Sequence, residues 1–293
     1  MGIGIAPIQN ILELNNLGYF KNKNCVLEIG SQELHLKYAD FLELINNAGL
    51  DNHDKVKYKN MDNWPDPMTI RCSSKFFYED LGFKEYFSLD LNEELNSIKH
   101  DYNKPFEDKN FYNKFDLVTD FGSCEHAFNI GEIYNTMHKL CKVGGKLIIS
   151  QALWGGNGYF LFDRPFFESL AAFNNYKILY SSYIISTKTK TPNDSDNQYH
   201  IPMSRDLLKS IDLNKVNTIG VYGVVEKLKD SEFNFPNQYS ALKEETRNHM
   251  GFNRIYYKDP PGPGYSYIPV FEDSISTRDI IKILRKRIKK KLF

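Results

Sequence analysis

The chain alternates short apolar runs with amphipathic stretches of helical period. Ile8, Ile11, Leu12 and Leu14 recur at helical spacing within residues 8–20. Residues 25–29 (CVLEI) form an apolar run ending at Gly30, the pattern of a strand buried on both faces. Residues 33–48 are again amphipathic, with Gly49 as a helix stop. Residues 50–71 are polar, contain Pro65 and Pro67, and read as a loop or insertion; Ser73 and Ser74 then cap a helix over 74–81 that Gly82 ends. Strands are expected at 85–91, weakly at 97–101, at 115–121 and at 146–151, with a helix over 130–141 and a turn at Gly144–Gly145. Two further β-like runs, 177–186 and 216–226, flank a polar loop.

Strands alternating with helices imply βαβ units and a parallel sheet. The 293 residues suffice for one large domain, and 41% apolar with 25% charged residues specify a packed core rather than disorder. The 19 Tyr and 21 Phe supply core volume and also suit a pocket that stacks a flat ligand. A formal net charge of zero hides an asymmetry. From Arg278 onward eight basic residues face Asp279 alone, giving +7, so residues 1–277 carry −7. A body of that sign is a poor nucleic-acid binder. The tail 277–293 interleaves cations with Ile280, Ile281, Ile283, Leu284 and Ile288. It reads either as a segment that touches an anionic membrane surface or as a solvated helical terminus. The four cysteines form no C-x-x-C pair and no apolar run is long enough to span a membrane, which points to a reduced, cytoplasmic protein.

Open parallel sheets bind ligands at the carboxyl ends of their strands, and four of the expected strands end in polar or glycine residues. They are Glu28-Ile29-Gly30-Ser31, Asp90-Leu91, Asp101-Tyr102 and Asp120-Phe121-Gly122. Gly30 lets backbone approach a ligand closely. Asp90 suits the two hydroxyls of a ribose, and Asp101 an exocyclic adenine amine. The set fits a nucleoside, and neither a P-loop nor G-x-G-x-x-G is present to favour a triphosphate or a dinucleotide.

The segments VLEIGS, YFSLDLN, FDLVTDFGSCEHAFN and CKVGGKLIIS, in that order, resemble class I S-adenosylmethionine-dependent methyltransferases, nearest to bacterial enzymes linked to cell-surface sugar or small-molecule modification. The resemblance covers roughly residues 24–186. Two departures stand out. Gly30 is followed by Ser31, Gln32 and Glu33 where the family carries further glycines. Asp90 lies 60 residues beyond Gly30, against roughly 20 in related folds, which an insertion at 50–84 explains.

The resemblance implies a Rossmann-like α/β domain over 1–226: a seven-stranded, mostly parallel sheet with helices on both faces and its last strand antiparallel. An aromatic, Pro/Gly-rich cap over 227–276 and the loop 187–215 would shape the acceptor site. S-adenosyl-L-methionine would be the cofactor. Glu28, Gly30, Ser31, Asp90, Leu91, Asp101, Tyr102, Asp120, Phe121 and Gly122 are its candidate contacts. His126 is the candidate general base, with Glu125 beside it. Relatives that hold a metal at the Glu-His pair use a carboxylate three residues earlier; this chain has Gly122 there, which weakens a metal site, so none is assigned and metal dependence is not legible. Trp154, Asn157, Tyr159, Phe160 and Asp163 follow the fifth strand, where the acceptor would sit, and His200 and Arg205 are candidates to grip an anionic acceptor. The expected reaction is O-methylation of a sugar, nucleotide sugar or phosphate-type group in surface glycan biosynthesis. The rival reading is a non-catalytic nucleoside-binding or partner-docking protein on the same fold. The acceptor and the oligomeric state are not legible.

Overall fold

The computed structural model describes residues 2–20, 24–50, 54–63, 66, 68–92, 97–187 and 196–237. The tail 277–293 and residues 238–276 of the expected cap lie outside the described residues.

In chain order the elements are β1 (Gly2–Ile3), α1 (Ile5–Asn16), β2 (Cys25–Ile29), β3 (Glu33–Leu34), α2 (Tyr38–Asn47), α3 (Lys75–Asp80), β4 (Glu85–Asp90), β5 (Ile98–Lys99), β6 (Phe115–Phe121), α4 (Ile130–Leu140), β7 (Cys141–Trp154), α5 (Arg164–Phe173), β8 (Tyr176–Thr187), β9 (Asn197–Ile201), α6 (Arg205–Lys209) and β10 (Val216–Lys227). The main sheet has eight strands in the order β5-β4-β2-β6-β7-β10-β8-β9. β5, β4, β2, β6 and β7 are parallel, and β10 runs antiparallel between β7 and β8. The expected Rossmann-like sheet with an antiparallel last strand is present.

Alternation along β2 divides the core. Val26 joins a cluster with α1, α2 and α3, whereas Leu27 and Ile29 join α4 and α5 on the other face. Helices therefore cover both faces, as the uninterrupted burial of β2 requires.

The eighth strand was not expected. β9 arises inside the polar loop 187–215 and pairs antiparallel with β8. Its His200 is fully buried, bonded through Nδ1 to the Ser182 hydroxyl at 2.7 Å and through Nε2 to the Ala6 carbonyl at 2.8 Å. Burial lowers its pKa to about 4. His200 ties β9 to β8 and α1. It does not reach an acceptor, which corrects the grip on an anion assigned to it from sequence.

The insertion 50–84 also differs from a solvated loop. Tyr58, Met61, Phe77 and Tyr78 pack into the core against Phe41 of α2. The described part of the expected cap, residues 227–237, clamps the helix layer instead of overlying the strand ends. Lys227 Nζ donates to the carbonyls of His138 (2.8 Å) and Cys141 (3.0 Å) at the end of α4. His138 meets the Ser231 carbonyl at 2.7 Å, and Asn234 N–H donates to Asn174 Oδ1 at 2.8 Å. The four cysteines are free and buried. Among the described residues no helix is long and apolar enough to cross a membrane.

Candidate functional site

The strand order reverses between β2 and β6, and an open α/β sheet leaves a crevice outside the carboxyl ends of its strands at that point. Gly30 turns the chain there with φ +83°, a conformation that favours glycine. Its N–H donates to the Leu89 carbonyl at 2.7 Å, and the next N–H, of Ser31, donates to Asp90 Oδ2 at 2.9 Å. The two residues 60 positions apart in sequence thus meet at one sheet edge. Asp90 Oδ1 accepts the Asn92 N–H at 3.2 Å. Each carboxylate oxygen keeps further acceptor capacity, and the residue is only half-buried.

Ser31, Gln32 and Glu33 stand where glycines were expected, and the insertion braces them. Ser74, entering α3, donates its N–H to the Gln32 carbonyl at 3.1 Å and its hydroxyl to Glu28 Oε2 at 2.6 Å. The Tyr86 hydroxyl donates to the same Glu28 oxygen at 2.5 Å. Gln32 Nε2 donates to the Ile29 carbonyl and to Ser123 Oγ, each at 3.0 Å, linking this loop to the turn after β6. Glu28 is fully buried, and loss of solvation pushes its carboxyl up to about 7. Glu28 therefore supports the loop from below, which corrects its assignment as a cofactor contact.

Asp120 is likewise fully buried. Its Oδ1 accepts the N–H groups of Ser123 (2.9 Å) and Cys124 (3.2 Å), Gln151 donates to Oδ2, and burial pushes the carboxyl up to about 7. Asp120 shapes the turn from within it, and Phe121 is a core side chain. Gly122, at φ +78°, forms the open floor: a Cβ placed on it would meet nothing within 4 Å. Asp90 ends β4 and exposed Leu91 follows it, so this carboxylate and the bare backbone of Gly122 stand at the ends of the two strands that flank β2. Tyr102 reaches the same edge, its hydroxyl donating to the Leu89 carbonyl. Asp101 does not: Oδ1 accepts from the backbone and side chain of Asn103, and Oδ2 pairs with Lys104 at 3.4 Å. It caps its own turn, and the structure ties it to that turn and not to the Gly30–Asp90 edge.

Beyond Gly122, Glu125 and His126 lie on a short 3-10 turn. Glu125 is 5% exposed; its Oε2 accepts the Ala152 N–H at 2.8 Å and its carbonyl accepts the Tyr159 N–H at 2.7 Å. Burial raises its pKa. Gly158 packs directly on it, since a Cβ there would stand 2.6 Å from Glu125 Cγ. The His126 side chain is 37% exposed, with Nε2 3.8 Å from Glu125 Oε1.

Trp154 is the last residue of β7, and Asn157, Tyr159 and Phe160 follow on the loop that the Glu125 carbonyl anchors, Asn157 and Tyr159 open to solvent and Phe160 half-buried. Phe128, which sequence reading passed over, stands edge-on to Tyr159 at 5.9 Å and to Phe160 at 6.0 Å. Its only sequence signal is its place two residues after His126. Asp163 serves α5: Oδ1 accepts the Arg164 N–H at 2.6 Å and the Tyr183 hydroxyl at 2.8 Å, so it is a helix cap and not a free acceptor contact. Arg205 is exposed at the start of α6. Among the described residues no group of three His, Cys, Asp or Glu side chains could hold a metal ion.

No protein-family model matches the chain, and no curated protein matches it. It is similar to several solved structures. One is the 1,6-didemethyltoxoflavin-N1-methyltransferase of Burkholderia thailandensis, at 13% identity over 76% of this chain and 77% of that one, with a TM-score of 0.40. TehB from Haemophilus influenzae matches at 12% identity over 73% of this chain and 61% of that one, with a TM-score of 0.38. A SAM-dependent methyltransferase from Archaeoglobus fulgidus matches at 14% identity over 75% and 93%, with a TM-score of 0.35. The likeness is loose, and the reading of function rests on the site itself.

Proposed function

We propose that the chain is an S-adenosyl-L-methionine-dependent methyltransferase acting on a hydroxyl of a small polar acceptor: a sugar, a nucleotide sugar or a phosphate-type group. The observation that carries the reading is the meeting of Gly30 and Asp90 at one sheet edge, through the 2.9 Å bond from Ser31 N–H to Asp90 Oδ2.

Bound S-adenosylmethionine supplies a methyl group already activated by its sulfonium. The protein's work is then alignment and proton management. Asp90 accepts the ribose hydroxyls, and the bare backbone of Gly122 lets the nucleoside lie close to the turn after β6. His126 takes the acceptor's proton at the ring nitrogen that does not face Glu125, and the neighbouring carboxylate steadies the resulting imidazolium.

Titration calorimetry with S-adenosylhomocysteine tests the pocket: the wild-type chain binds, and Asp90→Ala weakens binding at least about ten-fold, or ~1.4 kcal/mol. Undiminished affinity in Asp90→Ala removes the reading. His126→Ala should retain that binding and lose roughly 100-fold or more in turnover.

A further inference from the structure

The surface beside His126 discriminates among the acceptors that methyl transfer could serve. Phe128 is 78% exposed, Tyr159 70% and Leu161 59%. Large apolar side chains gathered in one exposed patch mark a recognition surface more often than a packing accident. This patch is anchored. Phe160 packs on the cluster formed by Phe162, Tyr183 and Ile219. The Tyr159 N–H is held by the Glu125 carbonyl, and the Phe162 N–H by the Ala152 carbonyl, each at 2.7 Å. Glu125 is thus both the footing of the aromatic loop and the carboxylate nearest His126.

The charge at this spot is negative. Glu125 supplies a carboxylate 3.8 Å from the imidazole, the aromatic faces present the negative side of their quadrupoles, and the sequence neighbours Asn129 and Asn157 are carboxamides. An anion arriving at His126 would meet repulsion from the first two in a partly desolvated site. A neutral ring with C–H bonds on one face and hydroxyls around its rim meets an apolar platform and hydrogen-bonding groups.

We propose that Phe128 and Tyr159, supported by Phe160, form a stacking platform for an uncharged saccharide ring and present one of its hydroxyls to His126. The proposal rests on the methyl-transfer reading and narrows it, setting a phosphate or carboxylate acceptor aside.

The test uses the full chain with S-adenosylmethionine, follows S-adenosylhomocysteine release, and offers methyl hexopyranosides and the matching hexose 1-phosphates as probes. Neutral glycosides should be turned over in preference to the phosphates. Phe128→Ser and Tyr159→Ser should raise KM for the best glycoside about ten-fold or more, with S-adenosylhomocysteine affinity unchanged in calorimetry. Preference for a hexose phosphate, lost in Arg205→Ala, overturns the proposal. So does a wild-type chain that binds S-adenosylhomocysteine yet accepts no neutral glycoside, and so do platform variants that change the sedimentation of the protein instead of KM, since the patch is then an interface between copies of this chain. A wild-type chain that does not bind S-adenosylhomocysteine removes the methyl-transfer reading beneath it, and the proposal with it.

Discussion

The two edges proposed here to hold the methyl donor and the acceptor, the donor edge and the acceptor edge, are built in opposite ways. At the donor edge, buried carboxyls hold loops: Glu28 carries Ser74 and Tyr86, and Asp120 carries the Ser123 and Cys124 N–H groups. At the acceptor edge, rings stand in solvent with few polar ties. A shared cofactor demands a preorganised cradle, in which supporting groups are locked by packing and hydrogen bonds. An acceptor surface carries specificity and can be assembled on an exposed loop.

This contrast is open to attack. Leu27 is fully buried in the central strand beneath the donor edge. Leu27→Ala should cost ~2–5 kcal/mol in urea unfolding, whereas Leu161→Ser on the acceptor edge should stay within about 0.5 kcal/mol. Equal losses would erase the distinction between the two halves.

A second effect is in the pH dependence. The carboxyl of Glu28 is raised from its ordinary value to about 7 in the folded chain. Below its unfolded pKa the group is protonated in both states and costs nothing. As pH rises through the window from about 4.5 to about 7, the unfolded chain ionises freely while the folded one resists, so stability falls, by on the order of 3 kcal/mol above that window. Buried His138 and His200, both lowered to about 4, act in the opposite direction below pH ~6.5. The comparison must therefore be between variants. Glu28→Gln should gain stability relative to wild type between about pH 5 and about pH 8 and none below about pH 4.5; a parallel pair of curves refutes the assignment.

The smaller expectation concerns Gly122. Its left-handed backbone makes Gly122→Ala cost ~1–2 kcal/mol in stability. The added methyl also enters the open space where the nucleoside is proposed to lie, so S-adenosylhomocysteine affinity should fall. Unchanged affinity would move the ligand away from the turn after β6.

Much of the donor edge was legible in the chain. The apolar run CVLEI, the strand-terminal Gly30 and Asp90, and Gly122 after β6 are local signals, because a buried strand and a left-handed glycine are specified by residues close in sequence. The roles of Glu28 and Asp120 were misread because a carboxylate at a strand end looks the same whether it faces a ligand or supports a loop. His200 was misread for the same reason: nothing near it in sequence announces Ser182 or Ala6, the partners that bury it.

By itself, the sequence determined the alternation of strands and helices, the two-sided burial of β2 and the glycine turns at the strand ends, since hydrophobic period and backbone sterics act over a few residues. Only the tertiary structure decided that Asp90 closes on the loop after Gly30, that Tyr58, Met61, Phe77 and Tyr78 build core while Ser74 braces that loop, that β9 extends the sheet, and that Phe128 joins Tyr159 and Phe160. Those outcomes depend on partners tens to nearly two hundred residues away, whose pairing is chosen by packing and by the satisfaction of buried polar groups rather than by any local pattern.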